Sequence, residues 1–593
     1  MTHTTENADR PTGPTEPRST DTAGQPGPAT TDPAGHTDPA PTGPAGHTDP
    51  AATAATGQPG PATTAATGQP GPATTDSSGP AQPGSTADGT QTGSVERRTP
   101  PPDSFSSRSP VTGETLAAYP VHGPLDVDRA VRRARAAGAR WAALSATERR
   151  GHLLRWKREL ASGLDSVAGT VAAETGKPRQ DAELELLLTL EHLSWAARNA
   201  GRVLRRRRVR SGAVAIHQAA TVVRRPLGVV GVIGPWNYPV YTPMGSIGYA
   251  LAAGNAVVFK PSEYTPGTGV LLAELFDVAV PEYAGLFGVV TGAAATGEAL
   301  ARSGVDKVAF TGSPGTARKV MAVCAESLTP FLAECGGKDA VIVTADADLD
   351  AAADAIVWGA MGNAGQTCAG VERVYAVRQV HAALCEKVVE RARVLRPGAG
   401  PDAAYGPMTM PDQAAVVRRH VHDALAAGAG AALGGTDSAP AAGVFVEPVV
   451  LVDVPEDSPA MTEETFGPTV AVNAVADEEE AVRRVNASRY ALGAAVFGGS
   501  GRAGAALASR LRAGAVSVDS VLGFAAVPAL PFGGSGDSGF GRIHGADGLR
   551  AFTAPQSVTV RRFAPPVDLT SFATPAATKA RAVALMRWLH SRR

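Results

Sequence analysis

The N-terminal segment Thr2–Ser94 contains no Leu, Ile, Val, Phe, Tyr or Trp. It consists mainly of Pro, Gly, Ala and Thr, and two short motifs recur in it, GQPGPATT three times and PAGHTDPA twice. Ordering a residue costs about 1–2 kcal/mol of backbone entropy, and a segment with almost nothing to bury cannot offset that cost. We therefore predict that residues 1–103 form a disordered tail and that the folded part of the chain begins near Ser104.

Charge, cysteine content and hydropathy exclude several classes of protein. Lys and Arg number 55 and Asp and Glu number 56, so the net charge of −1 gives no general attraction to nucleic acid or to anionic membranes. Four cysteines, none in a C-x-x-C pair, favour neither a disulfide scaffold nor a cysteine-rich zinc site, and we expect no metal. The sequence shows neither a secretory h-region nor an apolar run of about 20 residues, so we expect a cytoplasmic protein with no membrane span.

Helix and strand patterns alternate after Ser104. The predicted helices are Val127–Leu144, Arg149–Thr175, Pro243–Ala253, Asp348–Met361 and Gln413–Gly428. The predicted strands are Val229–Ile233, Ala256–Lys260, Val308–Phe310, Ala340–Val343, Val371–Val377 and Val516–Asp519. A helix between two strands at this spacing is a βαβ unit, which predicts mainly parallel sheets. The length of this region favours two α/β domains, with a cleft between them as the default site.

Three polar side chains stand where nucleophilic chemistry could use them. Cys368 follows a GQT turn; a cysteine there is commonly a buried small hydrophobe, but the turn could also expose a thiolate nucleophile. Glu334 ends an apolar run before two glycines, so it is either a capping or exposed residue or a general base made less acidic by desolvation. Asn237 follows a buried strand, and it either hydrogen-bonds a turn or donates to a developing oxyanion.

Six motifs in order resemble the aldehyde dehydrogenase superfamily. The family carries a PWN-aromatic-P segment, a KPSE segment, an FTGS turn, and then E-x-GGK, GQ-x-C and E-x-FGP segments. In this chain they are Pro235–Pro239, Lys260–Glu263, Phe310–Ser313, Glu334–Lys338, Gly365–Cys368 and Glu464–Pro468. A PFGG segment at Pro531–Gly534 also resembles the C-terminal signature of the family, so the resemblance extends from about Arg108 to Val560. It implies an α/β fold with two doubly wound domains and a β-strand oligomerisation arm.

The resemblance also implies how the chain is divided. The predicted parts are an NAD-binding domain (104–204 and 223–334), a catalytic domain (335–552), an oligomerisation arm (205–222 and 553–562) and a C-terminal extension (563–593). The arm implies a homodimer or a homotetramer. We interpret Arg205–Arg208 as part of an interface or a solvated edge, because no aromatic residues interleave the run as they do in nucleic-acid sites. For the C-terminal helix we favour packing on the fold over a membrane contact or a gate at the substrate entrance.

The chemistry of the family, carried over to this chain, assigns three catalytic roles. Cys368 would attack an aldehyde to form a thiohemiacetal, and Asn237 with the Cys368 backbone N–H would hold the oxyanion. Glu334 would then activate the water that hydrolyses the thioester. Relatives that transfer the acyl group to coenzyme A lack this base, so Glu334 favours hydrolysis to the acid. The alternatives are a cysteine esterase, which needs no nicotinamide, and a catalytically idle scaffold whose tail binds partners.

The resemblance implies NAD as cofactor, with NADP possible. The predicted cofactor-binding residues are Trp236, Lys260, Glu263, Gly312, Ser313, Glu464 and Phe466. Gly312 and Ser313 open a helix after a strand, so backbone N–H groups can face a pyrophosphate. Lys260 and Glu263 resemble the pair that binds the adenosine ribose, and a carboxylate at the 2′-hydroxyl disfavours a 2′-phosphate. Glu464 and Phe466 resemble the residues that hold the nicotinamide ribose and ring.

Two positions depart from the family pattern. Ala317 stands where the family often has Gly, and its methyl group is expected to loosen the fit of the pyrophosphate. Cys335 stands where the family usually has Leu, and it is either inert or, if it lies close to Cys368, able to form an oxidative crosslink. The substrate is a small-molecule aldehyde, and small residues around Asn237 favour a medium or bulky one.

Overall fold

The structure is a computed structural model that describes residues 103–439 and 443–591. The tail predicted for residues 1–103 lies outside the described residues, except for Asp103. The strands are β1 (Ser104–Arg108), β2 (Thr115–Pro120), β3 (Arg207–Val209), β4 (Gln218–Pro226), β5 (Val229–Ile233), β6 (Ala256–Lys260), β7 (Phe287–Val289), β8 (Lys307–Gly312), β9 (Phe331–Cys335), β10 (Asp339–Val343), β11 (Val371–Val377), β12 (Gly430–Leu433), β13 (Val449–Val452), β14 (Thr469–Val475), β15 (Tyr490–Ala491), β16 (Gly493–Phe497), β17 (Ala515–Val518), β18 (Ser535–Gly536), β19 (Gly539–Phe540) and β20 (Thr553–Arg561). The helices are α1 (Pro124–Ala143), α2 (Ala146–Ser162), α3 (Leu164–Thr175), α4 (Arg179–Val203), α5 (Tyr241–Ala253), α6 (Pro266–Ala279), α7 (Ala294–Arg302), α8 (Pro314–Glu326), α9 (Leu349–Met361), α10 (Arg378–Arg393), α11 (Gln413–Ala426), α12 (Pro459–Thr462), α13 (Glu478–Asn486), α14 (Gly501–Ala508), α15 (Gly545–Ala551) and α16 (Ala576–His590).

Six strands form the first sheet, in the order β19-β9-β8-β5-β6-β7. The strands from β9 to β7 run parallel, whereas the two-residue β19 is antiparallel to β9. Strands β5 and β6 are buried along their whole length, which explains their almost unbroken apolar sequences. The predicted βαβ unit is confirmed, because α5 connects β5 to β6. Helix α5 ends at Gly254, whose φ of 99° is left-handed and suits glycine.

Seven strands form the second sheet, in the order β12-β13-β14-β11-β10-β16-β17. They are parallel apart from β12, which is antiparallel to β13 at the edge. The sequence prediction of strand Val371–Val377 is confirmed residue for residue in β11, a run that is buried throughout. The two sheets give the two doubly wound α/β halves that the sequence predicts.

Each sheet has its own hydrophobic core. The core around the first sheet includes Trp141, Trp156 and Phe259, and the core around the second is built from residues between Ala340 and Leu511. The first core also contains Ile543, Leu549 and Phe552, so the chain returns to its first half after completing the second. The residue boundaries proposed for the domains stay predictions.

A separate three-stranded antiparallel sheet has the order β20-β4-β3. All nine residues of β20 pair with β4, and most of them are exposed. The predicted arm segments 205–222 and 553–562 meet in this sheet through the pairing of β4 with β20, whereas the basic run on β3 pairs with β4. Arg207 and Arg208 are exposed on β3, as the solvated-edge interpretation predicts.

Two local predictions are wrong, and one hairpin is not predicted from the sequence. The predicted helix Arg149–Thr175 is two helices, α2 and α3, which are separated at Gly163. The hairpin β1–β2 was not anticipated, because its polar strands lack a β-branched run. Helix α16 was expected to pack on the fold, but none of its residues from Ala576 to His590 is buried. Within the described ranges, no helix combines the length and the apolar composition that a membrane crossing requires.

Candidate active site

Most of the predicted site residues lie at one edge of the first sheet. Asn237 follows β5, Lys260 ends β6, Gly312 ends β8, and Glu334 is the penultimate residue of β9. Because these strands are parallel, their carboxyl ends share an edge, and α/β folds bind ligands at that edge.

Cys368 is presented by an unusual turn after α9. Asn363, Ala364 and Gly365 all have left-handed backbone conformations, with φ of 54°, 56° and 70°. Gly365 cannot be replaced without a shift, since a Cβ there would lie 2.0 Å from the Gly467 carbonyl oxygen. Two consecutive non-glycine residues in this conformation represent strain, which persists only where the surroundings hold the backbone.

Hydrogen bonds from the side chain of Gln366 keep much of this turn in its strained conformation. Its Nε2 donates to the carbonyls of Asn363, at 2.9 Å, and Pro407, at 3.2 Å. Its Oε1 accepts a hydrogen bond from the Thr409 amide at 2.9 Å. Gln366 therefore fixes the turn to a neighbouring segment two residues before Cys368.

Asn237 lies against the same turn. Its Nδ2 donates to the Gln366 carbonyl at 2.9 Å, and its own carbonyl accepts from Asn363 Nδ2 at 3.2 Å. The Tyr238 hydroxyl is 2.9 Å from Thr367 Oγ1. An amide nitrogen has two hydrogens, so Asn237 retains one donor beyond its bond to Gln366.

A buried ion pair supports the Asn237 segment from behind. Lys177 Nζ lies 2.8 Å from Glu185 Oε2, and the two side chains are 2% and 1% exposed. Lys177 also donates to the Asn237 carbonyl at 2.7 Å. Neither residue could be singled out from the sequence, because their contacts with the site span 60 and 55 positions of the chain.

Glu334 is buried in β9, where it pairs with Thr311 on β8 and with Gly539 on β19. Within the described residues, neither of its carboxyl oxygens has a hydrogen-bond partner. Burial raises the pKa of Glu334 well above its usual value, and Arg542 opposes that change. Desolvation of this kind makes a carboxylate a stronger base than an exposed one, as a general base requires.

Cys368 is partly exposed. Burial of its sulfur raises the pKa of the thiol above the usual value, and the negative charges of Glu464, Asp339 and Glu334 add to the effect. The Ala369 amide acts in the opposite direction. The structure thus brings Cys368, Glu334 and Glu464 within electrostatic reach of one another.

Glu464 and Phe466 lie next to the catalytic candidates. Glu464 Oε1 is buried without a hydrogen-bond partner among the described residues, and burial raises the pKa of this carboxyl to about 8. A Cβ at Gly336 would lie 2.0 Å from that oxygen, so Glu464 is held against the segment that follows Glu334. The Phe466 ring is edge-on to Trp236, with ring centres 5.5 Å apart.

A second buried ion pair holds the Glu464 segment in place. Lys338 Nζ contacts Glu372 and donates to Thr465 Oγ1 at 3.0 Å. Glu372 also accepts hydrogen bonds from the amides of Thr465, at 2.9 Å, and Phe466, at 3.3 Å. Nothing in the sequence indicates that Lys338 and Glu372 pair.

The remaining predicted cofactor residues form a second group along the same sheet edge. Lys260 Nζ lies 3.4 Å from Glu263 Oε2, and the carboxyl group is partly exposed. Ser313 caps α8 by accepting from the Thr316 amide at 3.3 Å. The N-terminus of α8, the partly exposed Glu263 carboxylate and the Glu464 oxygen that has no partner among the described residues fit a dinucleotide, which contains phosphates and ribose hydroxyls.

Ala317 and Cys335, the two residues that depart from the family pattern, are both buried in the fold. Ala317 is buried in the first turn of α8. Cys335 is buried, and burial raises the pKa of its thiol to about 12, which disfavours the reactive thiolate.

Comparisons with known proteins agree with this geometry. The sequence matches the model of the aldehyde dehydrogenase family over residues 98–558. It is 38% identical over 459 residues to a 4,4'-diapolycopene aldehyde oxidase from Methylomonas, covering 77% of this chain and 85% of that protein. An NAD-dependent aldehyde dehydrogenase from Sinorhizobium meliloti has a similar structure, with a TM-score of 0.74, 32% identity, and coverage of 80% of this chain and 93% of that one. An NADP-dependent enzyme from E. coli gives a TM-score of 0.73 and 31% identity, covering 77% and 95%.

Proposed function

The chain belongs to the aldehyde dehydrogenase family, whose members oxidise aldehydes to acids with NAD(P), and from this we propose a mechanism in three roles. Cys368 is the nucleophile, Asn237 is the oxyanion donor and Glu334 is the hydrolytic base. The observation that supports this most strongly is the Glu334 carboxyl group, which is buried, lacks a hydrogen-bond partner among the described residues, and lies within electrostatic reach of Cys368.

The proposed reaction begins at sulfur. Cys368 loses its proton to solvent water, and the thiolate Sγ adds to the aldehyde carbon, whose C=O π electrons move to oxygen, to give a thiohemiacetal oxyanion. The free hydrogen of Asn237 Nδ2 and the Cys368 amide then donate to the oxyanion, and losing one such donor typically costs about 10²–10³ in rate. Loss of hydride from the thiohemiacetal carbon to a bound nicotinamide would convert the adduct to a thioester. Glu334 takes a proton from water, whose oxygen attacks the thioester carbon. The carbon–sulfur bond then breaks, which releases the carboxylic acid and returns Cys368 as the thiolate.

The cofactor residues carry over in the same way. Trp236, Glu464 and Phe466 would hold the nicotinamide end, which supplies the hydride acceptor when it is bound. Ser313 and the first turn of α8 would face the pyrophosphate. We propose NAD as the preferred cofactor, because Glu263 would repel a 2′-phosphate. Comparing kcat/KM for NAD and NADP tests this preference.

We also propose an uncharged aldehyde as substrate. The ring of Tyr241 on α5 lies 5.5 Å from that of His544, and the rings of His192 and His544 are 4.0 Å apart. Burial lowers the pKa of both imidazoles, so they are neutral near pH 7. Burial, Tyr249 and Cys368 together raise the pKa of the Tyr241 hydroxyl, in keeping with a position near the nucleophile. Neutral rings favour an apolar chain over a carboxylate.

One assay tests the proposed chemistry and the substrate class together. NADH formation is measured with octanal and with 4-oxobutanoate, for the wild type, Cys368→Ala and Cys385→Ala. We expect octanal to be the better substrate, Cys368→Ala to lose at least about 10⁴-fold in kcat, and Cys385→Ala, a control on α10, to match the wild type. Full activity in Cys368→Ala would refute the mechanism, and a preference for 4-oxobutanoate would refute the substrate class.

Assembly is a further part of the proposal. The exposed β20-β4-β3 sheet is the arm through which we propose that a homodimer or homotetramer forms. Light scattering of the full chain measures the number of subunits.

A further inference from the structure

We propose that the buried pair Lys177–Glu185 positions Asn237 for catalysis. Neither residue touches the proposed reacting atoms, so both are positioning residues and act through the segment that they hold. The inference rests on the proposed function, because it concerns how the oxyanion donor is kept in place.

The pair grips both ends of one short segment. Lys177 Nζ donates to the carbonyl of Asn237 at 2.7 Å. Glu185 Oε1 accepts from the amides of Val240, at 2.8 Å, and Tyr241, at 3.0 Å. The backbone that contains the oxyanion donor is therefore tied at its start and at its end to one ion pair.

Glu185 replaces the side-chain N-cap that α5 lacks. The first amides of a helix lack partners within the helix, and no side chain of α5's own N-cap residue supplies one. The carboxylate of Glu185, on α4, takes that place, and its negative charge suits the positive end of the α5 dipole. Glu185 thus fixes where α5 begins, four residues after Asn237.

The ammonium group of Lys177, the positive partner, also has favourable contacts on several sides. Lys177 Nζ contacts Glu185, the Asn237 carbonyl and the face of the Tyr238 ring, whose centre is 4.3 Å away. A buried pair of charges tends to break even only when its geometry is good and additional hydrogen bonds satisfy it. Here both of those conditions are met by contacts with the Asn237 segment.

The same part of the chain also touches the other side of the Cys368 turn. Thr409 Oγ1 donates to the carbonyl of Thr175 at 2.9 Å, and the Thr409 amide donates to Gln366 Oε1 at 2.9 Å. The Lys177 region therefore braces the Asn237 side and the Gln366 side together. A change at Lys177 is expected to move Asn237 relative to Cys368.

A double-mutant cycle tests whether Lys177 acts through Asn237. Lys177→Met, Asn237→Ala and the double variant are assayed with octanal and NAD. We expect Lys177→Met to lower kcat about 10–100-fold, since a displacement of about 1 Å can cost 10²-fold, with little change in the KM for NAD. In the Asn237→Ala background the same change should lower kcat by less than about threefold. Multiplicative losses would overturn the proposal.

A paired replacement separates positioning from simple stability. Removing one charge leaves the other buried and unpaired, whereas Lys177→Met with Glu185→Leu removes both. We expect the double variant to regain most of the lost Tm and to keep the low kcat. Recovery of kcat together with Tm would show a merely structural role. If Lys177→Met does not fold, Glu185→Gln replaces it as the single variant.

A matched control is available in the same half of the molecule. Glu174 is also a buried carboxylate, and it accepts from the amides of Gly267 and Thr268, in the first turn of α6, and from Ser107 Oγ on β1. Glu174→Gln should lower Tm and leave kcat within about twofold of the wild type. A loss of kcat equal to that of Glu185→Gln would overturn the proposal, because any buried carboxylate would then have the same effect.

Hydrogen–deuterium exchange of the peptide spanning residues 236–245 gives a readout that does not require activity. In the Lys177→Met/Glu185→Leu variant we expect this peptide to exchange faster than in the wild type, whereas exchange at β11 should be unchanged. If the wild type is inactive but the variant shows this exchange pattern, the proposed function is refuted and the positioning role of the Lys177–Glu185 pair is retained. Unchanged exchange in the Lys177→Met/Glu185→Leu variant would refute the positioning role of the pair, whatever the activity.

Discussion

Buried charges are treated differently on the two sides of the site. On the Asn237 side, the carboxylate of Glu185 has a cation and two amides as partners. On the Glu334 side, both oxygens of Glu334 and one of Glu464 have no partner among the described residues. Buried charged groups whose hydrogen bonds are all made hold the structure rigid. Buried groups without partners lower the stability of the fold, and they are typical of sites where a ligand or a proton supplies the missing interaction. The first side suits positioning, and the second suits chemistry.

The largest expected effect follows from removing an unsatisfied group. Glu334→Gln keeps the size of the side chain and removes the base, so we expect kcat to fall about 10²–10⁴-fold. Because acylation does not need this base in the proposed mechanism, rapid mixing should still show one NADH per active site. Glu479→Gln, in an exposed ion pair with Arg510, is the control. Loss of the burst would assign Glu334 to activation of Cys368 instead.

Removing a satisfied charge should affect stability before chemistry. Lys338→Met leaves Glu372 buried without its cation, and we expect unfolding free energy to fall by about 3–5 kcal/mol. Lys387→Met, in the exposed pair with Asp350, should change it by less than about 0.5 kcal/mol. Denaturant titration measures both. Equal effects of the two substitutions would contradict the expected difference between a buried and an exposed ion pair.

The smallest expected effect depends on pH. The folded-state pKa of Glu464, about 8, lies above the ordinary 4.5. The folded protein therefore binds a proton that the unfolded chain releases, and this contribution to stability is complete below pH 4.5 and is lost as the pH rises through about 8.

Glu464→Gln removes that dependence. We expect Tm values equal to the wild type at pH 5 and about 2–4 °C higher at pH 9, as measured by thermal unfolding without cofactor. Glu463→Gln, an adjacent exposed carboxyl, should follow the wild type at both pH values. A Glu464→Gln variant that is less stable at pH 9 would show that this carboxylate is satisfied after all.

The sequence predicts these two sides unequally. Strand β5 is a short apolar run, β11 is rich in valine, and the motifs around Glu334 and Cys368 are local in sequence, so the strands and the motifs could be found. The Lys177–Glu185 pair could not, because α4 also contains Glu183, and the sequence does not show which glutamate faces inward. The structure answers this: the Glu183 side chain is 36% exposed and that of Glu185 is 1% exposed.

The return of Ile543, Leu549 and Phe552 to the first core affects the order in which the chain can fold during synthesis. The second sheet and its core need only residues between Asp339 and Val521, so they can close as soon as these have left the ribosome. The first core, although its residues are made first, stays open until the segment around Phe552 emerges. The half that begins synthesis is thus the last to be completed, and a chain that stops before residue 543 would expose its apolar interior.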